Sequence, residues 1–210
     1  VHACGHNAQC AILLGVAAAM KEPGALDGLC GSIRFMAVPA EELIELGFRE
    51  ELRKQGVIRY FGGKVEFISR GYFDGVDMAM MIHSGKLPEG KTLSVSQGCN
   101  GCITKNITFK GVASHAGGSP HLGRSALDAA ELMNVGCNYM REHMIPDARV
   151  HYAVTDTGGD APNVVQAHAE VIYSVRAPRV DQVCELAERV HNIARGAALM
   201  TETKVEIQVV

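Results

Sequence analysis

The chain has 210 residues, 47% of them hydrophobic and 20% charged, with a formal net charge of −3 at pH 7. That composition suits a globular protein with one substantial domain or two small ones. It offers no electrostatic reason to expect nucleic acid or an anionic membrane as a partner. No apolar run approaches the roughly 18 residues needed to span a bilayer, and the N-terminus lacks the order of a signal peptide. The chain starts on Val1 rather than Met, so a piece of a longer protein is expected. Seven cysteines (Cys4, Cys10, Cys30, Cys99, Cys102, Cys137 and Cys184) form an odd, irregularly spaced set. Such a set argues against a disulfide framework and for a reducing, cytoplasmic setting.

In chain order, the first feature is His2-Ala-Cys-Gly-His6, a thiol and two imidazoles within five residues. The pattern then predicts a helix over Asn7–Glu22, capped by Asn7, with Ile12, Leu13, Val16, Ala19 and Met20 on its apolar face and Pro23-Gly24 as its stop. Ser32–Val38 reads as a buried strand ending at Pro39. Glu41 and Glu42 would then sit at its C-terminal end, where open α/β sheets place their chemistry. Leu43–Tyr60 reads as a charged, solvated helix, and Met78–Ile82 as a second buried strand with His83 at its end.

The pattern changes near Ser96. The order becomes strand (Ile103–Lys110), helix (Ser125–Glu142), strand (Arg149–Thr155), strand (Glu170–Arg176), helix (Val180–Ala198) and strand (Lys204–Val209). This βαββαβ order is that of a ferredoxin-like split βαβ sandwich. The expectation is therefore an α/β protein with a partial first domain over 1–96 and a ferredoxin-like domain over 97–210.

Each candidate site residue has an ordinary reading on its own. A Cys-x-His pair can be incidental, paired acids often begin solvated helices, and His83 could be a hydrogen-bonded strand-end residue. Taken together at strand ends, Cys4, His6, Glu41, Glu42 and His83 point to a divalent metal site with one carboxylate left over as a base. In the second block, Gly111-Val-Ala-Ser-His115-Ala-Gly-Gly-Ser-Pro-His121 forms a Gly-rich loop, which is either a flexible connection or a functional one. Asn163 lies in a turn-rich stretch. Arg176, inside an apolar strand, needs a carboxylate from a structural partner or a ligand. Cys99-Asn-Gly-Cys102 is a formal CxxC, expected to be two small half-buried residues, with a redox pair as the alternative.

HACGHN, VPAEE, MIH, GVASHAG with PHLGRSAL, and APNVV followed by SVRAPR resemble, in that order, the motifs of the M20 metallopeptidase family, in particular its amidohydrolase branch. The resemblance covers nearly the whole chain. It implies a zinc-peptidase-like α/β catalytic domain, here partial, followed by a lid and dimerisation domain. It implies two divalent ions, zinc or manganese, with Cys4, His6, Glu42 and His83 as ligands and Glu41 as general base. His115 would reach the active site of a partner chain and stabilise the oxyanion, while Asn163 and Arg176 would hold the substrate's carboxylate. The implied substrate is an N-acyl amino acid, with p-aminobenzoyl-glutamate or a similar aroyl-glutamate foremost. The implied assembly is a homodimer or hetero-oligomer through residues 97–210.

Three departures matter. The family's upstream acidic motif and its last metal-binding His both fall outside the chain, and Asn7 stands where an acid often follows CGH. The fragment alone is therefore expected to be inactive. The alternatives are a general aminoacylase or carboxypeptidase and a non-catalytic dimerisation or binding protein.

Overall fold

In the computed structural model, which describes residues 4–85, 87, 89–95 and 98–210, the chain divides into two units, Val1–Ser94 and Val95–Val210. His2 of the opening motif lies outside the described residues.

The first unit carries three helices, α1 (His6–Ala19), α2 (Leu46–Lys54) and α3 (Gly63–Ser69). The start of α1 differs from expectation. Its N-cap is Gly5 in the left-handed region at φ 76°, with no side-chain cap, so Asn7 is already helical. A residue that must take positive φ at this point is best supplied by glycine. Helix α2 is shorter than the expected Leu43–Tyr60, bounded by Glu45 at φ 53° and Gly56 at φ 73°. The two expected strands are not formed. Ser32–Val38 and Met78–Ile82 run without ladder partners among the described residues, and Ile33 is 50% and Met80 93% exposed. An apolar run becomes a strand only when a neighbour takes its backbone N–H and C=O groups, and none does so here.

What packs in this unit is a polar knot between α2 and α3. Phe61 is buried beneath the Arg53 guanidinium, 4.7 Å from its ring centroid. Arg49, also buried, donates to the Phe61 carbonyl at 2.6 Å. Glu66 accepts from the Arg59 and Tyr60 amides at 3.0 Å each and from Arg70 Nε at 2.6 Å.

The second unit runs β1 (Gly101–Lys110), β2 (Ser114–His115), α4 (Ala126–Met140), β3 (Arg149–Asp156), β4 (Val164–Val165), β5 (His168–Ala177), α5 (Val180–Met200) and β6 (Lys204–Val209). The four long strands form one sheet in the order β3-β5-β1-β6, each pair antiparallel. This is the ferredoxin-like arrangement expected from the βαββαβ order. Burial alternates along β5, with Ala169, Val171, Tyr173, Val175 and Ala177 inward. Those residues join Ile107 and Phe109 of β1, Ala130, Met133 and Cys137 of α4, and Leu186, Val190 and Ala194 of α5 in a single core. The Tyr173 hydroxyl satisfies itself within that core by donating to Asn134 Oδ1 at 2.6 Å. Ser125 caps α4, its side chain accepting from the Asp128 amide at 3.0 Å.

Both helices cover one face of the sheet and leave the other open. A small second sheet pairs β2 with β4, setting His115 opposite Val164. No helix among the described residues is long and apolar enough to cross a membrane.

Candidate functional site

The first unit gathers the sequence-predicted ligands without the expected strands. Gly5 makes this possible. It separates Cys4 from His6 in a left-handed turn, and a Cβ there would collide with Ser84 Oγ. The glycine thus admits the His83–Ser84 segment against the turn, and Gln9 Nε2 secures it by donating to the Ile82 carbonyl at 2.6 Å. Cys4 Sγ comes to 3.2 Å from His83 Nε2. His6 Nε2 lies 3.3 Å from Glu41 Oε2 and 3.7 Å from Glu42 Oε1. The donor atoms form two overlapping groups, Cys4–His6–His83 and His6–Glu41–Glu42, each within 4.8 Å.

His83 has the tautomer a ligand needs. Its Nδ1 is 2.6 Å from the Ser84 carbonyl oxygen, which can only accept, so Nδ1 carries the proton and Nε2 keeps its lone pair toward Cys4. Thiolate, imidazole and carboxylate converging in this way suit zinc, and the carboxylate-rich half also suits manganese. The residues present therefore fit divalent metal.

Lys64 is a participant that the sequence did not announce. Its Nζ donates to Glu41 Oε1 at 2.5 Å. This hydrogen bond, with the Lys64 charge and smaller contributions from His6 and His83, holds the Glu41 carboxyl below the usual carboxylate range against the opposing effect of burial. Lys64 arrives because Gly63, at the start of α3, lets the helix abut Val38 and Pro39, where a Cβ would run into the Pro39 carbonyl oxygen. The Gly62-Gly63-Lys64 string was the available signal, but nothing in its spacing ties it to Glu41.

The second unit brings His115 and Asn163 together. The Ala116 amide donates to the Asn163 carbonyl at 2.9 Å. His115 Nδ1 accepts from the Gly117 and Gly118 amides at 3.1 and 2.9 Å. The proton of the neutral ring is thereby on Nε2, at the tip of an exposed side chain. Arg176 is not brought to this pair. It lies near the far end of the ten-residue β5, roughly 26 Å from His168 at about 3.3 Å per residue. One chain therefore does not join Asn163 and Arg176 at one carboxylate. Cys99 and Cys102 are exposed rather than half-buried, and every cysteine is a free thiol. Cys102 Sγ sits 3.1 Å from Ser174 Oγ.

Residues 98–201 match the peptidase dimerisation domain of the M20 family. The chain is 43% identical over 205 residues to one of the two kinds of p-aminobenzoyl-glutamate hydrolase polypeptide of Escherichia coli (strain K12), covering 98% of this chain and 38% of that protein. It is 32% identical over 207 residues to Xaa-Arg dipeptidase of Mus musculus, covering 99% and 43%. It is also 32% identical over 209 residues to indole-3-acetyl-aspartic acid hydrolase of Enterobacter agglomerans, covering 99% and 43%. The chain thus spans about two-fifths of the length of these relatives. Among solved structures, an inferred aminohydrolase from methicillin resistant Staphylococcus aureus shares the fold over 70% of this chain and 39% of that one, with a TM-score of 0.58 and 19% identity. The motifs, the split βαβ sheet and these matches agree: the chain belongs to the M20 family and carries its dimerisation domain.

Proposed function

We propose that the protein containing this chain is a metal-dependent amidohydrolase that cleaves N-acyl amino acids, an aroyl-glutamate such as p-aminobenzoyl-glutamate foremost. The observation that supports this most is the convergence of Cys4, His6, His83, Glu41 and Glu42 from three separate stretches of sequence. Cys4, His6, Glu42 and His83 would hold two divalent ions, zinc or manganese. When bound, these would supply a water nucleophilic at neutral pH and polarise the amide carbonyl.

The chain's own residues carry the proton and the charge. Glu41, kept ionised beside Lys64, takes the proton of the attacking water and returns it to the leaving amine. His115, with its Nδ1 occupied by two amides, offers Nε2–H to the oxyanion. Arg176 takes the substrate's carboxylate. His115 and Asn163 lie far from Arg176 within one chain, so one active site would combine them from two protomers. This accords with a homodimer or hetero-oligomer formed through the second unit, residues 97–210. Seven free thiols accord with a cytoplasmic setting.

The full-length protein tests the reading. Glu41→Ala is expected to keep less than about a hundredth of wild-type kcat while metal content, measured by elemental analysis, stays the same. Retention of more than a hundredth removes the general-base assignment.

A second reading, a general aminoacylase or dipeptidase, is favoured by the 32% identity to Xaa-Arg dipeptidase. A panel of N-acyl amino acids and dipeptides compared by kcat/KM separates the two.

A further inference from the structure

Arg149 and Arg176 are Cα partners in the β3–β5 ladder. Their neighbours Val150 and Val175 are buried in the core, so both arginines project from the open face of the sheet. Like charges directly opposite one another on adjacent strands repel, and nothing within the described residues neutralises this pair. Arg176 makes no hydrogen bond or ion pair there. Arg149 is anchored through Nη1 alone, which donates to the Pro146 carbonyl and, at 2.6 Å, to the Ala148 carbonyl. Its Nε and Nη2 stay open.

The acids of this face are elsewhere. Asp156 pairs with Glu170, which faces Thr108, and Glu206 binds Lys110, all toward the opposite end of the strands. Around the arginines stand His151, Ser174, Thr104 and Cys102 instead, in register across β3, β5 and β1. An open recess lined in part by Arg141, Arg149 and His151 flanks them. One guanidinium fork matches one carboxylate, and two side by side match two.

We propose that Arg149 is a specificity-determining residue that, with Arg176, receives an acidic amino-acid moiety: Arg176 takes the α-carboxylate and Arg149 the side-chain carboxylate. The proposal rests on the amidohydrolase reading, which gives Arg176 the substrate's carboxylate. It adds the substrate class, N-acylated glutamate or aspartate over neutral amino acids.

Two measurements on the full-length protein test it. The first compares kcat/KM for an N-acyl-glutamate and the matching N-acyl-glutamine. Arg149→Gln is expected to lower the glutamate preference by about 30-fold, the scale of one charge-assisted contact, with Arg149→Lys recovering part of it. Arg176→Gln lowers both substrates together. The second measures glutarate and butyrate binding by calorimetry, without turnover. Glutarate is expected to bind about tenfold tighter or better in the wild type, with the advantage lost in Arg149→Gln. A glutamate preference within about threefold of wild type in Arg149→Gln, or equal binding of glutarate and butyrate by the wild type, overturns the proposal. Parallel loss on both substrates in Arg149→Gln together with a lowered Tm makes Arg149 structural and overturns it too. If no N-acyl amino acid is cleaved while glutarate still binds in an Arg149-dependent manner, the amidohydrolase reading falls and the two-carboxylate site stands.

Discussion

Glu66 shows how a single side chain can hold a short stretch of structure. It is 7% exposed, and burial pushes its carboxyl up. The Tyr60 and Arg59 amides and the Arg70 guanidinium outweigh burial and hold it below the ordinary value of 4.5. A depressed carboxylate stabilises the folded state above its unfolded value, and that stability is lost as pH falls through the folded value. Glu66→Gln is therefore expected to destabilise the first unit by about 1–3 kcal/mol at pH 7, with the difference shrinking below about pH 4.5. Urea titrations across pH check this, and a difference independent of pH refutes it. Gly5 is a second such residue. Its positive φ disfavours any Cβ by about 1–2 kcal/mol, and Ser84 Oγ occupies the space. Gly5→Ala is expected to weaken zinc binding at Cys4 and His83 at least tenfold by equilibrium dialysis, leaving the melt of the second unit unchanged.

At the scale of elements, α3 serves mainly to deliver Lys64 to Glu41. Gly63→Ala must displace the helix from the Pro39 carbonyl and so withdraw Lys64. In the full-length protein, kcat is expected to fall by about tenfold, one charge-assisted hydrogen bond, with metal content retained. Unchanged kcat would mean that Lys64 is a bystander. This arrangement was illegible in the sequence because the amino-acid pattern reports local periodicity, whereas Gly63 acts through a contact with a distant loop. The second unit was legible for the opposite reason. The strands around Ile107, Val150, Val171 and Val205 find their ladder partners within that unit, so apolar alternation and strand formation coincide. Ile33, Phe35 and Met80 carry an equally strong apolar signal, yet they have no neighbour among the described residues to complete a ladder. The ligand residues were identifiable all the same, because donor chemistry depends on residue type. The expected joint role of Asn163 and Arg176 did not reveal their separation, since sequence order says little about which end of a strand a side chain occupies.

At the scale of the whole molecule, the two units differ in what holds them. The second unit closes a core from both helices and the sheet, with Tyr173, Phe109, Ile107 and Met133 almost fully buried, and its internal polar pair is satisfied. In the first unit, burial among the described residues centres on Phe61, Arg49 and Glu66, held by hydrogen bonds whose net contributions are about 1 kcal/mol each. A core of apolar side chains unfolds cooperatively because each one removed exposes its neighbours, whereas a polar knot between short helices does not. Residues 95–210 produced alone are therefore expected to give a single sharp thermal transition by circular dichroism, and residues 1–94 alone a broad, shallow one. Since the matched dimerisation domain lies within residues 98–201, the 95–210 segment should also sediment at twice its chain mass at micromolar concentration. A monomeric but folded segment would move the dimer contacts to other parts of the protein. His115 and Arg176 of two protomers could then meet only through contacts that this unit does not itself supply.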